Sequence, residues 1–282
     1  MNATAWAPRP QLDLAFARRG DRTVLERRLF RWPFVVTRTF SLDRVPAHLL
    51  TMILQTSSGA VHGEDRLAQR FAIGPGAAAH CTTQGASPIH RAPPGVTTRD
   101  AVDIRVAPGG YFEYWPKARI LFPDAALDQT VDVDCARGAA ALVGDAFTVH
   151  DPEAQGRAFR HLCATLTLRC EGEILAIDRL DIGGFVRGPM AKFKAFGTAV
   201  FMLPGRRESH ARLAEDLSKA LADDPALYAA ASLLPHEAGL GVRLASPELR
   251  HVMAGLDVVR AHIRRQTHGS SPTQRQGSDD LI

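Results

Sequence analysis

The chain has 282 residues, 45% of them hydrophobic, and a formal charge of +4 from 34 Lys and Arg against 30 Asp and Glu. That is ample apolar material for a buried core, and the scattered charges form no nucleic-acid footprint. No apolar run approaches the ~18 residues of a membrane helix and the start carries no signal-peptide pattern, so a soluble cytoplasmic protein is expected.

The first two-thirds of the chain alternate with period two. Leu12, Leu14 and Phe16 share one face, Arg18-Arg19-Gly20-Asp21 supplies a turn, and Val24-Leu25 restarts the chain, which predicts a hairpin. Val102–Val106, Val131–Asp134 and His161–Leu168 alternate in the same way. Between them lie Gly74-Pro75-Gly76, Pro108-Gly109-Gly110 and Ala136-Arg137-Gly138, roughly thirty residues apart. Stacked β-layers or a short solenoid would produce such a rhythm. Helical period enters late, over 209–222 with Leu213, Leu217 and Leu221 in one stripe, then from Ser246-Pro247-Glu248 with Leu249, Val252, Leu256, Val259 and Ile263. Ser246 is read as the N-cap and Pro247 as the first helical residue. Short strands are predicted near 227–234 and 239–245. The expected fold is mainly β, with layered, solenoid-like sheets and a small C-terminal α+β lobe of two helices. One domain should span 8–266, its helical lobe about 205–265, with a disordered tail over 267–282. Cys81, Cys135, Cys163 and Cys170 form no CxxC pair and are read as reduced, mostly buried thiols.

The run Ser57-Ser58-Gly59-Ala60-Val61-His62-Gly63-Glu64-Asp65-Arg66-Leu67 is a shaped loop: two glycines four apart let backbone turn or approach closely, and Asp65 is delivered beside that turn. Thr82-Thr83-Gln84-Gly85-Ala86-Ser87 follows, then Phe112-Glu113-Tyr114-Trp115-Pro116, Ile120–Ala125 and Ile174-Leu175-Ala176-Ile177-Asp178-Arg179-Leu180. In this order and at these distances the set resembles the UreD (UreH) family of urease accessory proteins over roughly residues 12–265. The chain departs from that pattern at Gly63-Glu64-Asp65, where the family has Gly-Gly-Asp, at Pro88 and His90, which stand where it favours Lys and Tyr, and at the C-terminus.

The resemblance implies a non-catalytic maturation factor that joins a helical partner (UreF) and a nickel-binding GTPase (UreG), docks on apo-urease and helps to load nickel. It leaves room for a dimer of such heterocomplexes, and for an internal passage in which Ni²⁺ is in transit and no cofactor is tightly bound. Matched residue by residue, Asp65 and Asp178 fall on family acids and Asp145 near a third, with Arg179 orienting or balancing Asp178. A conduit suits isolated oxygen donors, because a dense His/Cys cluster would retain nickel, and no HxH, HExxH or CxxC spacing occurs. The residues taken alone leave plainer readings open. Asp65 beside Arg66 fits a turn acid, Asp178 and Arg179 point to opposite strand faces, and Glu113 fits a structural role. His62 is either part of a transient coordination shell or an ordinary loop histidine. His161 and Cys163 share a strand face expected to be exposed or at an interface. Two other functions compete: a β-rich adaptor that never handles metal, and a hydrolase using Asp65, His90 and Ser87.

Overall fold

The turns spaced about thirty residues apart are corners of a stack. The computed structural model describes residues 9–184 and 192–273. The chain opens with β1 (Leu12–Arg19), β2 (Arg22–Phe30), β3 (Phe34–Phe40) and β4 (Leu49–Thr56), then steps back and forth between two sheets. β5 (Arg66–Ile73), β8 (Thr98–Val106), β11 (Ala126–Cys135) and β13 (His161–Cys170) lie parallel in the first sheet. β4, β6 (Ala78–Thr83), β9 (Tyr111–Tyr114) and β12 (Ala140–Val149) lie parallel in the second. Each corner hangs on its predecessor through backbone bonds: Gly74 N–H donates to Phe16, Ala107 N–H to Ile73, and Ala136 N–H to Val106. The faint rhythm of the sequence is thus a β-solenoid rung.

Antiparallel strands close the stack. The first sheet runs β14-β13-β11-β8-β5-β1-β2, with β14 (Glu173–Ile182) and β2 at its edges. The second runs β16-β17-β15-β12-β9-β6-β4-β3, where β15 (Ala195–Met202), β16 (Tyr228–Leu233) and β17 (Gly239–Ser246) extend the body. Two three-residue strands, β7 (Ser87–Ile89) and β10 (Arg119–Leu121), pair with each other beside β12. Inward rows such as Phe71, Ile104, Val133, Phe112 and Val143 form the core between the sheets.

α1 (Arg207–Leu221) and α2 (Leu249–His268) cover the outer face of the second sheet. The predicted stripe of Leu213, Leu217, Leu221, Val252, Leu256, Val259 and Ile263 is buried against Leu142, Phe201 and Val242, each side chain contributing about 1.5–3 kcal/mol by removal from water. The start of the second helix differs from expectation. Ser246 ends β17, Glu248 is the capping position, and α2 begins at Leu249. Ser246 Oγ still accepts the Glu248 N–H at 3.2 Å, so the serine turns the chain into the helix without being its N-cap. At the far end α2 continues through His268 to Gly269 in the left-handed conformation. The Thr273 N–H then donates to Asp43 Oδ1 at 2.8 Å, and the rest of the expected tail lies outside the described residues. No helix among the described residues is long and apolar enough to cross a membrane.

Candidate functional site

Period two puts Leu67, Gln69, Phe71 and Ile73 of β5 in one inward row, Thr98, Asp100, Val102 and Ile104 of β8 in the next, and Leu127, Gln129, Val131 and Val133 of β11 in a third. Polar side chains therefore interrupt each apolar row. Across from them, β12 contributes Asp145 and β9 contributes Tyr114. Arg119, at the start of β10, enters this space and is 6% exposed. Its guanidinium reaches Asp100 Oδ2 at 3.3 Å and forms a close ion pair with Asp145. Gln69 Nε2 donates to Asp100 Oδ1 at 3.0 Å. Gln129 is 3% exposed and its Oε1 has no hydrogen-bond partner. An Arg bridging two carboxylates thus ties the sheets together from inside.

Cavities lie on either side of this bridge. The larger, about 430 Å³, is lined by Gln55, Gly59, Gln84–Ser87, Lys117, Asp100, Arg119 and Tyr114. The smaller, about 50 Å³, is lined by Tyr114, Gln129, Asp145, Thr165, Asp178, Thr198 and Arg243. Tyr114 borders both. Burial pushes the Asp145 carboxyl above its usual range although Arg119 stands beside it. Burial pulls Arg119 down, but Asp145 and Asp100 outweigh it and hold the guanidinium more firmly protonated than usual. Gly144 serves packing: a Cβ there would stand 2.5–2.8 Å from the Trp115 ring, so glycine lets the indole pack beside the Asp145 strand.

The structure brings Asp145 and Asp178 to one cavity. Asp178 pairs with Arg243 of β17, which also donates to Thr198 Oγ1 at 2.9 Å. Arg179, expected to orient or balance Asp178, instead bonds Asp181 at 2.7 Å, because adjacent strand residues point apart. Asp65 lies elsewhere. Its carboxylate accepts the His62 N–H at 2.8 Å and closes the loop on itself. Gly63 is required there because a Cβ would fall 2.4 Å from Ala92 Cα and Arg91 O. His62 stacks on His90, ring centroids 5.2 Å apart, in an open surface pocket of about 490 Å³ with Phe122 and Arg157. Ser87 lines the 430 Å³ cavity while His90 lines that surface pocket, so the hydrolase trio is not assembled. Cys163, expected at an exposed or interface position, is buried, and His161 bonds Asp181 at 2.8 Å. Among the described residues no group of three or more His, Cys, Asp or Glu side chains could hold a metal ion.

Glu113 is buried completely, on the opposite face of β9 from Tyr114. Arg264 of α2 donates to its Oε2 at 2.8 Å, His80 Nδ1 lies 2.7 Å away, and the Tyr111 hydroxyl donates at 2.7 Å. Burial raises this carboxyl, but hydrogen bonds from Arg264 and His80 prevail and hold it well below the usual range. Sequence reasoning passed over Gln69, Asp100, Arg119 and Gln129. For the three on long strands the signal was parity, since each stands where its strand calls for an apolar residue.

Comparison with known proteins agrees along the whole length. The family model described as UreD urease accessory protein matches residues 9–278. Urease accessory protein UreD 2 of Bradyrhizobium strain BTAi1 is 51% identical over 276 residues, covering 97% of this chain and 96% of that protein. Its counterpart in Bradyrhizobium strain ORS 278 is 50% identical over 267 residues, covering 94% and 93%. Urease accessory protein UreD of Mycolicibacterium smegmatis is 33% identical over 272 residues, covering 93% and 96%. Ordered motifs, architecture and whole-length identity converge, and the chain belongs to the UreD family of urease accessory proteins, with a role in urease maturation.

Proposed function

We propose that this protein passes nickel to urease through the space between its two sheets, in the cytoplasm and without turnover of its own. The observation that carries the reading is the pair of cavities meeting at Tyr114, with the carboxylates of Asp100, Asp145 and Asp178 spaced along them. Oxygen donors set singly attract a divalent cation such as Ni²⁺ but hold it weakly enough to release it, as conduction requires. UreF and UreG are the partners the family resemblance supplies, with apo-urease as the receiver. Asp65 and His62 stand outside this line of cavities, and their proposed part is to hold the loop at the neighbouring surface.

The test is reconstitution of apo-urease activation with Ni²⁺, UreF, UreG and either the wild-type chain or an Asp145→Asn, Asp178→Asn variant. The reading expects intact assembly and a reduced nickel content in urease. Unchanged nickel content with intact assembly hands the function to the metal-free adaptor. Asp65→Asn serves as the control and is expected to deliver nickel normally, provided its loop still folds.

A further inference from the structure

Arg119 is an odd residue to find along a cation's path. Its guanidinium stands between the two cavities and is held by one carboxylate from each sheet, Asp100 on β8 and Asp145 on β12. Buried ion triads seldom improve stability over well-packed apolar residues, so stability alone does not account for it. Gln129 is almost wholly buried and its side chain hydrogen-bonds Asp145, so this carboxylate is held in place by Gln129 as well as by Arg119. If the guanidinium is withdrawn, the point it occupied is faced by the carboxylates of Asp100 and Asp145, beside Tyr114. Two carboxylates then balance a doubly charged ion where one guanidinium had left a single negative charge.

Space is available on one side only. The 430 Å³ cavity is lined by Arg119 itself and far exceeds the roughly 10–15 Å³ that one water needs. The 50 Å³ cavity beyond admits only a few waters. Arg119 is on a three-residue strand set to the side of the main sheet order, so its movement need not break a long ladder.

The geometry points to Arg119 as an internal gate: it occupies the donor position between the cavities when no metal is present, and a divalent cation goes through by displacing it into the larger cavity. This inference rests on the conduit reading above and adds to it the residue that controls passage. The gate also explains how carboxylates facing each other inside a protein avoid trapping metal: the tethered cation competes for them and returns when the ion leaves.

The experiment measures Ni²⁺ binding by equilibrium dialysis of the full-length chain, alone or with its UreF partner if that is needed for solubility, alongside the nickel content of urease activated by the same variants. Arg119→Gln should bind Ni²⁺ about tenfold tighter than wild type or better, since a nearby unit charge has been removed, and should deliver less of it to urease. Arg119→Lys keeps the charge but not the fork that bridges both carboxylates, and should fall between, about threefold tighter. Adding Asp145→Asn to Arg119→Gln should abolish the gain. Ni²⁺ binding by Arg119→Gln equal to wild type overturns the gate, and if that variant does not fold, equal binding by Arg119→Lys does so. An Asp100→Asn, Asp145→Asn variant separates the two ideas. Lower urease nickel in that variant beside unaltered binding in the Arg119 variants removes the gate and keeps the conduit. Unaltered urease nickel in it removes the conduit and the gate with it.

Discussion

The outer face of the first sheet and the space beneath it use the same two side chains to opposite ends. Outside, Arg27, Asp13, Arg70, Asp103, Arg105, Asp132, Asp134 and Arg169 form a ladder of ion pairs across six strands, with Arg105 alone reaching Asp103 at 2.7 Å and Asp134 at 2.9 Å. Most of these side chains are partly exposed, and water screens each pair to about 0–1 kcal/mol. Inside, Asp100 and Arg119 are largely cut off from water and Asp145 partly so, and desolvation cancels much of the attraction. Asp103 and Asp100 belong to the same strand, and an odd separation of three puts them on opposite faces. The same residue type is solvation on one face and a chemical opportunity on the other.

Breaking charges at graded depth sharpens this contrast. The largest effect is expected at Glu113→Ala, which leaves the buried Arg264 with Asp43 as its remaining carboxylate and should cost roughly 3 kcal/mol in urea unfolding. A proton should act in the same direction. Glu113 is held well below its ordinary value of 4.5, so the unfolded chain binds more protons, and stability present above pH 4.5 should be lost as the pH falls below it. Burial holds His80 below 6.5, which also withdraws stability as the pH drops under 6.5. Melting curves of Glu113→Gln should show a flatter slope below pH 4.5, and an unchanged slope would place the titrating group elsewhere.

Next in size is the interior triad replaced as a unit by Asp100→Leu, Arg119→Met and Asp145→Leu. Unfolding should be neutral to about 4 kcal/mol more favourable to the fold, while urease activation by the same protein should be lost. A stabilised protein that still activates urease would reduce the triad to packing. The smallest effect belongs to the ladder. Arg105→Ala should change unfolding by about 1 kcal/mol or less and leave urease activation intact. A larger loss would mean that the ladder acts as one network.

The architecture was legible because it follows from parity and from turns. Leu12, Leu14 and Phe16 announced the hairpin, the Gly-bearing corners announced the rungs, and the Leu213, Leu217 and Leu221 stripe announced α1. Ser246 misled at the start of α2 because a serine before Pro-Glu reads as a cap whether or not the strand before it has ended. At the site, Asp145 and Asp178 were reached through family likeness, and the structure gives them one cavity in common. Asp100 and Arg119 were hidden for a physical reason. A charge in an inward row shows its role only when its partner is known, and Arg119 is 19 residues from Asp100 and 26 from Asp145, each on another strand. The true neighbour of Asp178 was further still, since Arg243 arrives 65 residues later.

The clasp beneath α2 has a consequence for how the chain is made. Glu113 and Arg264 are 151 residues apart. At about 5–20 residues per second, the carboxylate leaves the ribosome roughly 8–30 s before its counter-charge exists. During that interval Glu113 has His80 and Tyr111 beside it but lacks its guanidinium partner, so final assembly of the second sheet is postponed until the closing helix is synthesised, and stalling or truncation before α2 would leave its outer face covered by α1 alone.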